Sequence, residues 1–425
     1  MKRNQENPTW SINSPYIFEK FAMELQEFSK TGEVPQHGNQ DIKYCMELQK
    51  QRLEDRGLDM EYTFTPRGAF AKGPGYTKGW EDARYQSSMD YRTCKKEKKF
   101  YRDGKKVHTI KKEELFYQTV TDIKGGVSLG HELYTCPSCG AISSLEKFLD
   151  GCPNCNLHFQ MSDIYPRVTN YYFVEDCADT SKEMKLSIQK TMMISMIICV
   201  ILMFIRHAIA GFENGMVIAF ITSVFGGGLI GAVVGYFVWA ATKLFKLAEQ
   251  AGQSVNMVYR TASSEKSYVA RMQQFTPEFS YEYFKDKAVS LLKMIVFSRD
   301  ASQLPYYVGQ PTGNTFYNIV DMEYTGAVGL KTFSESNGFV QVTVDVFIDV
   351  TRDFGTQLTT SRRVFTMCLT KNVSKPVDMY FSIKQIRCKN CGAGFDALKT
   401  INCPYCSTRY NVGDDDWLVT SVIMM

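Results

Sequence analysis

An α+β fold is what this chain predicts. An amphipathic helix followed by strictly alternating apolar residues closes the sequence, two charge-free apolar runs lie near its middle, and paired Cys-x-x-Cys motifs stand on either side of those runs. At 425 residues, with 44% hydrophobic and 22% charged residues, the chain has the balance of folded protein and length for two or three domains. Its net charge of +4 is close to neutral.

Residues 1–130 form a mixed N-terminal region. Ser14 and Pro15 open a helix as N-cap and first helical residue, and Ile17, Phe18, Phe21, Leu25 and Phe28 give it an apolar stripe. A second helix is expected from Asp41 to about Glu54, then short strands such as Glu61 to Thr65 and Leu115 to Thr121. Between Arg92 and Lys112 ten Lys or Arg residues meet two acids, with Phe100 and Tyr101 interleaved. A solvated basic hairpin is the plain expectation. Anionic lipid is the nearer alternative partner and nucleic acid the unlikely one.

Residues 131–165 hold Cys136, Cys139, Cys152 and Cys155, and a second set, Cys388, Cys391, Cys403 and Cys406, lies in 386–410. Two pairs two residues apart, separated by about a dozen residues, are the ligand spacing of a structural four-cysteine zinc site. Pro137, Pro153 and Pro404 follow first cysteines of a pair, and Gly140 and Gly392 follow second ones, where a tight turn aims backbone N–H groups at sulfur. Two structural Zn2+ ions are therefore expected. Four thiolates leave no open position for water or substrate, so such a site stabilises a ribbon and does not catalyse hydrolysis. A dithiol redox pair would need one such motif at a helix start. His131 and His158 flank the first set, but a complete thiolate tetrahedron leaves them as ordinary polar residues.

Residues 188–243 form the hairpin. TMMISMIICVILMFI at 191–205 and MVIAFITSVFGGGLIGAVVGYFVWAA at 216–241 carry no charge, and about ten residues join them. The first run is short and must recruit Arg206 and His207. Lys182, Lys185 and Lys190 precede the hairpin and Lys243 and Lys246 follow it, so both termini are expected in the cytosol, at the cell membrane. Gly227, Gly231 and Gly235 recur every four residues and suit close packing against the first run, with a homodimer through the same face as the alternative. GGGLIG at 226–231 fits a dinucleotide pattern only formally, because no strand precedes it. The odd remaining cysteines, Cys45, Cys94, Cys177, Cys199 and Cys368, point to a reducing compartment. The N-terminus has neither a secretory core nor the acid-free composition of a mitochondrial presequence, which favours a bacterial protein.

After a linker helix at 244–274 comes the region 275–425. Thr276, Pro277 and Glu278 open a helix in which Phe279, Tyr283, Phe284, Ala288, Leu291, Leu292 and Ile295 recur at helical spacing. Val342, Val344, Val346, Ile348 and Val350 then alternate with mostly polar residues, as do Phe365, Met367 and Leu369, and Phe381 to Ile386 and Trp417 to Ile423 add strands. A helix covering one face of a mostly antiparallel sheet is a cone-type α+β domain. Alternation places Asp345 and Asp349 opposite the valines, solvated if the valines line the core.

TPEFSYEYFKDKAVSLLKMIVFSRDASQLPYYVG, VDMEYTGAVGL, VQVTVDVFIDVTRD, RRVFTMCLTKN and DWLVTSV together resemble the Tim forty-four C-terminal domain family over about residues 275–425. The resemblance implies a cone-shaped fold with an apolar pocket, attachment to an acidic membrane surface through the leading helix, and scaffolding of other proteins. It carries no catalytic residues, and it gives the helix bearing Phe279, Tyr283, Phe284, Leu291, Leu292 and Ile295 a lipid-facing or pocket-covering role. The second ribbon, inserted before the last strand, resembles bacterial relatives that join this domain to ribbons and membrane spans. The expected function is a membrane-anchored, non-enzymatic scaffold or adaptor with lipid and an unidentified protein as partners. A ligand-binding or catalytic cone using Asp345, Asp349 or Tyr324 is the alternative, and a nucleic-acid-binding ribbon protein a third.

Overall fold

The computed structural model describes residues 14–66, 75–81, 85–123, 133–136, 139–148, 152–155, 166–175, 181–212, 215–275, 279–374, 385–388, 390–391, 394–396, 399–409 and 416–425. The chain divides into two compact units, Met1–Glu175 with Arg260–Met425, and Asp176–Tyr259. Mixed helix and antiparallel sheet make the first unit, as the α+β expectation required.

Helix α1 (Ser14–Thr31) starts at the Ser-Pro pair, and α2 (Gln40–Asp55) is capped by Asn39, whose Oδ1 accepts from the Ile42 amide at 2.9 Å. The strands that follow are longer than the sequence pattern suggested. β1 (Asp59–Pro66) and β2 (Gly75–Glu81) both pair with β3 (Tyr85–Arg102), which turns at Asp103 and Gly104 into β4 (Lys105–Ile123). These two long strands run antiparallel from Tyr85 opposite Ile123 to Arg102 opposite Lys105. Across the first cysteine set come β5 (Leu133–Thr135), β6 (Ile142–Ser144) and the single turn α3 (Leu145–Phe148), and β7 (Arg167–Glu175) then closes the five-stranded sheet beside β4. The apolar stripe of α1 packs on one face of this sheet, where Phe18, Phe21 and Leu25 are fully enclosed and Phe64, Phe116 and Phe173 stack at interplanar angles of 12°.

The second unit contains α4 (Ser181–Ile209) and α5 (Met216–Thr222), which passes through a five-residue π-helical segment, Ser223–Gly227, into α6 (Gly228–Phe275), whose residues from Arg260 onward belong to the first unit. Two stretches are long and apolar enough to cross a membrane, Ser187–Ile209 with 23 residues and Met216–Thr242 with 27. The first therefore extends beyond the 15 uncharged residues on both sides and does not lack length. The linker at 244–274 is helical as expected and continuous with the second stretch. GGGLIG falls within this helical path, so it has no dinucleotide-binding context.

Helix α7 (Tyr281–Phe297) begins after Ser280, and Thr276-Pro277-Glu278 lies outside the described residues. β8 (Ile319–Ser336), β9 (Phe339–Asp353), β10 (Leu358–Asn372) and β13 (Leu418–Met424) form an antiparallel sheet in the order β13-β10-β9-β8. β11 (Gln385–Arg387) and β12 (Gly394–Asp396) belong to the second cysteine set, inserted between β10 and β13. Of the expected strand Phe381 to Ile386, residues 381–384 lie outside the described residues, and the rest pairs within the ribbon.

One face of the four-stranded sheet presents Val342, Val344, Val346, Ile348 and Val350 to α7. The opposite face corrects the sequence reading. Asp345 is completely buried and Asp349 nearly so. Lysines of β3 and β4 in the five-stranded sheet reach Asp321, Glu323 and Asp349 on that face, while Asp345 is met by Thr366 and Lys331 of its own sheet. Residues 1–130 and 275–425, expected as separate regions, contribute to one compact unit.

Candidate metal centres

Each cysteine set is carried by a short antiparallel pair, β5 with β6 and β11 with β12. Within the first, Cys136 and Cys155 have Sγ atoms 3.6 Å apart, as do Cys139 and Cys152. In the second, Cys388 and Cys406, and Cys391 and Cys403, repeat that 3.6 Å spacing. All four sulfurs of each set lie within 4.8 Å of one another. A tetrahedron with metal–sulfur bonds of about 2.3 Å has edges of about 3.8 Å, so the thiols already occupy the corners that zinc requires.

The turns that hold them are knuckles with matching hydrogen bonds. Gly140 N–H donates to the Cys136 carbonyl at 3.0 Å and Cys136 N–H to the Ala141 carbonyl at 2.9 Å. Ser407 N–H donates to the Cys403 carbonyl at 2.8 Å and Cys403 N–H to the Thr408 carbonyl at 2.9 Å. Gly140 has φ +71° and Ser407 φ +59°, left-handed conformations that let the chain fold back after the second cysteine. The Asn154 amide at 3.5 Å and the Ala141 N–H draw the Cys139 thiol down to about 6, and Thr408 draws Cys406 down to about 5. These shifts favour the thiolate, the form that binds metal. The eight cysteines therefore make two closed four-sulfur sites able to hold a metal ion, and the donor set suits zinc.

The two ribbons, separated by more than two hundred residues in sequence, sit together. β5 lies beside β11, and a Cβ at Gly140 would meet the Tyr405 hydroxyl at 3.7 Å. The second ribbon also docks on α2, where Lys399 pairs with Glu47 at 2.8 Å and lies over the Tyr44 ring.

In the hairpin, the glycine stripe packs against the first stretch. A Cβ at Gly227 would fall 2.8 Å from Val200 Cα, one at Gly235 2.7 Å from Met192 Cα, and one at Gly231 would collide with Met196 Cα. The stripe is thus occupied within the hairpin, as the first alternative read from the sequence had it.

The residues expected on a lipid-facing or pocket-covering helix are all interior: Phe279, Tyr283, Phe284, Leu291, Leu292 and Ile295 are each at most 3% exposed. Phe279 precedes α7, and the other five lie on it, between the four-stranded sheet on one side and α2 on the other.

The basic segment divides: Lys95, Lys105, Lys106 and Lys111 are exposed as a solvated hairpin requires, whereas Lys96, Lys98 and Lys112 turn to acids. Lys96 pairs with Glu323 at 2.7 Å and with Glu114, Lys98 with Asp321 at 2.6 Å and Glu323 at 2.8 Å, and Lys112 with Asp349 at 2.9 Å. Arg362 completes the last group, its Nε 2.8 Å from Asp349. Burial works to raise the Asp349 carboxyl, and Arg362 and Lys112 overcome it and hold it low. Lys96 and Lys98 are at most 2% exposed, so they cannot track phosphates or headgroups. Tyr324, expected to face an apolar pocket, is buried against the Tyr172 ring and lines an internal cavity with it.

Sequence reasoning missed Arg52 and Lys293. Arg52 is 2% exposed and donates to five carbonyls, those of Val296, Phe297 and Ser298 at the end of α7 and of Phe316 and Ile319 before and at the start of β8. The signal for Lys293 was its place as a lone cation in the apolar run VSLLKMIVF. Comparison with known proteins finds no matching family model, no matching curated protein and no matching solved structure.

Proposed function

We propose that this chain is a membrane-anchored, non-enzymatic scaffold or adaptor, in which the hairpin holds the protein to the cell membrane and two zinc ribbons stabilise a surface for a protein partner. The observation that carries the reading is the pair of closed four-sulfur sites. Filled by thiolates, neither has a position for substrate, so the metal's contribution is to folding. Tyr405, 66% exposed at the tip of the second ribbon and close to Gly140 of the first, places an aromatic anchor on the paired ribbons. The lysines flanking the hairpin support cytosolic termini. The resemblance of residues 275–425 to the Tim forty-four C-terminal domain family supports a docking role, and a bacterial source fits the composition. The burial of α7 supports looking for the docking surface on the ribbons and not on that helix.

The test is photo-crosslinking in native membranes from a probe at position 405, comparing the wild-type chain with C391S/C406S. A discrete protein adduct that disappears in the variant is expected. Capture of lipid alone, or an adduct indifferent to loss of the ribbon, would contradict the scaffold reading.

A further inference from the structure

Two adjoining cavities, of about 30 Å3 and about 20 Å3, lie inside the first unit where α2, α7, β7 and β8 meet. They share Met46, Gln49, Tyr171, Met322 and Lys293. Leu25, Phe28, Met60 and Phe173 line the larger, and Ile42, Val289 and Phe297 the smaller. This space takes a few water molecules, far below the room a lipid or nucleotide needs.

Lys293 stands apart from the other lysines of this interior. Among the described residues its ammonium makes no hydrogen bond and no ion pair, and its one close partner is the face of the Tyr171 ring at 5.1 Å. The neighbouring acids are already satisfied. Asp321 receives Gln49 at 2.8 Å on one oxygen and Lys98 at 2.6 Å on the other. Glu323 receives Tyr62 at 3.1 Å and Lys98 at 2.8 Å on one oxygen, and Lys96 at 2.7 Å on the other. All four carboxylate oxygens are thus engaged by other donors, and Lys293 faces the cavity without a bonded counter-ion.

The groups around it divide by sign. α2 contributes the Cys45 thiol, β7 the Tyr171 phenol, β8 the Asp321 and Glu323 carboxylates, and β3 the Lys98 ammonium. Burial pushes the Cys45 thiol up to about 12 and Tyr171 upward as well, so neither is an anion at neutral pH. Burial also lowers Lys293, while ion pairing raises Lys98 on the same cavity wall. A desolvated amine beside a second cation is the environment that makes lysine nucleophilic.

We propose that the cavity is a covalent capture site for a small, uncharged carbonyl compound, with the Lys293 amine as nucleophile. The nitrogen lone pair attacks the carbonyl carbon, a proton passes from nitrogen to oxygen to give a carbinolamine, and loss of water leaves an imine. One carbonyl compound is consumed and one water released, with no oxidant or reductant. The size of the cavity admits short-chain aldehydes, and its carboxylates disfavour anionic ones. This inference does not depend on the scaffold role.

The experiment treats the full chain in detergent micelles at pH 7 with glycolaldehyde and cyanoborohydride, then maps modified lysines by peptide mass spectrometry. Lys293 is expected to label about tenfold faster than exposed Lys105 and Lys106, because burial lowers its amine and the cavity holds a small aldehyde against it. The bulkier aldehyde pyridoxal phosphate is expected to leave Lys293 unlabelled and to modify the surface lysines. K293M should lose the label at that position while keeping its metal content. Labelling of Lys293 no faster than of Lys105, or equally by pyridoxal phosphate, would overturn the proposal, and both readings come from the wild-type chain.

Discussion

Lys98 and Asp321 meet across two sheets, with Nζ 2.6 Å from Oδ2 and both residues at most 4% exposed. The residues are 223 positions apart, so the pair ties the N-terminal five-stranded sheet to the C-terminal four-stranded one. Removing one partner of such a pair strands a charge in a low-dielectric interior. K98M is therefore expected to lower the unfolding free energy of the first unit by about 3–5 kcal/mol. Denaturant titration of the detergent-purified chain measures it. A loss below 1 kcal/mol would mean that water reaches Asp321.

Arg52 acts as a cap supplied from another helix. Its guanidinium reaches the last carbonyls of α7, which the helix itself cannot satisfy. Lysine carries the same charge without the planar fork, so R52K is expected to cost about 2–4 kcal/mol despite its conservative charge. Hydrogen exchange at the end of α7 should quicken in the variant. Unchanged protection there would show that the carbonyls have other partners.

The glycine stripe makes a position-dependent prediction. G231A drives a methyl group into the Met196 backbone, whereas G228A places one 3.9 Å from the mobile end of the Met196 side chain. The first should separate the two spans and cost about 1–3 kcal/mol, and the second should be tolerated. Spin-label distances across the hairpin in bilayers distinguish them, and equal distances in both variants would contradict the packing.

Asp286 sets a pH dependence. Burial, aided by Glu282, raises its carboxyl to about 8, and the hydrogen bond from Asn170 at 2.5 Å only partly offsets this. Its Oδ2 is buried with no hydrogen-bond partner among the described residues. An unfolded aspartate titrates near 3.9. Between about pH 4 and pH 8 the folded state therefore holds a proton that the unfolded state has released, so this group's stability contribution falls as pH rises and levels off above 8. D286N should flatten that slope. Denaturation midpoints of both chains at pH 5 and pH 8 test it, and parallel profiles would assign the dependence elsewhere.

Periodicity and spacing made much of this protein legible. The valines of β9 and the cysteines of the two ribbons announce themselves because each depends on local spacing, period two in a strand or two residues in a knuckle. The lysines of β3 and β4 did not. Read locally, Lys96 and Lys98 belong to a solvated run, and only their pairing with Asp321 and Glu323, more than two hundred residues away, reverses that reading. The same holds for α7. Its stripe was visible, but α2 covers its other side, so a surface helix became a central one. Alternation sorted Asp345 and Asp349 from the valines correctly and left open what covered them.

The most direct measurement is the zinc content of the full chain purified from membranes, combined with X-ray absorption at the zinc edge. Two zinc ions per chain, each with four sulfur neighbours at about 2.3 Å, is the predicted result, falling to one in C391S/C406S. Fewer than one zinc per wild-type chain, or a first shell containing oxygen or nitrogen, would contradict the two closed thiolate sites on which the account rests.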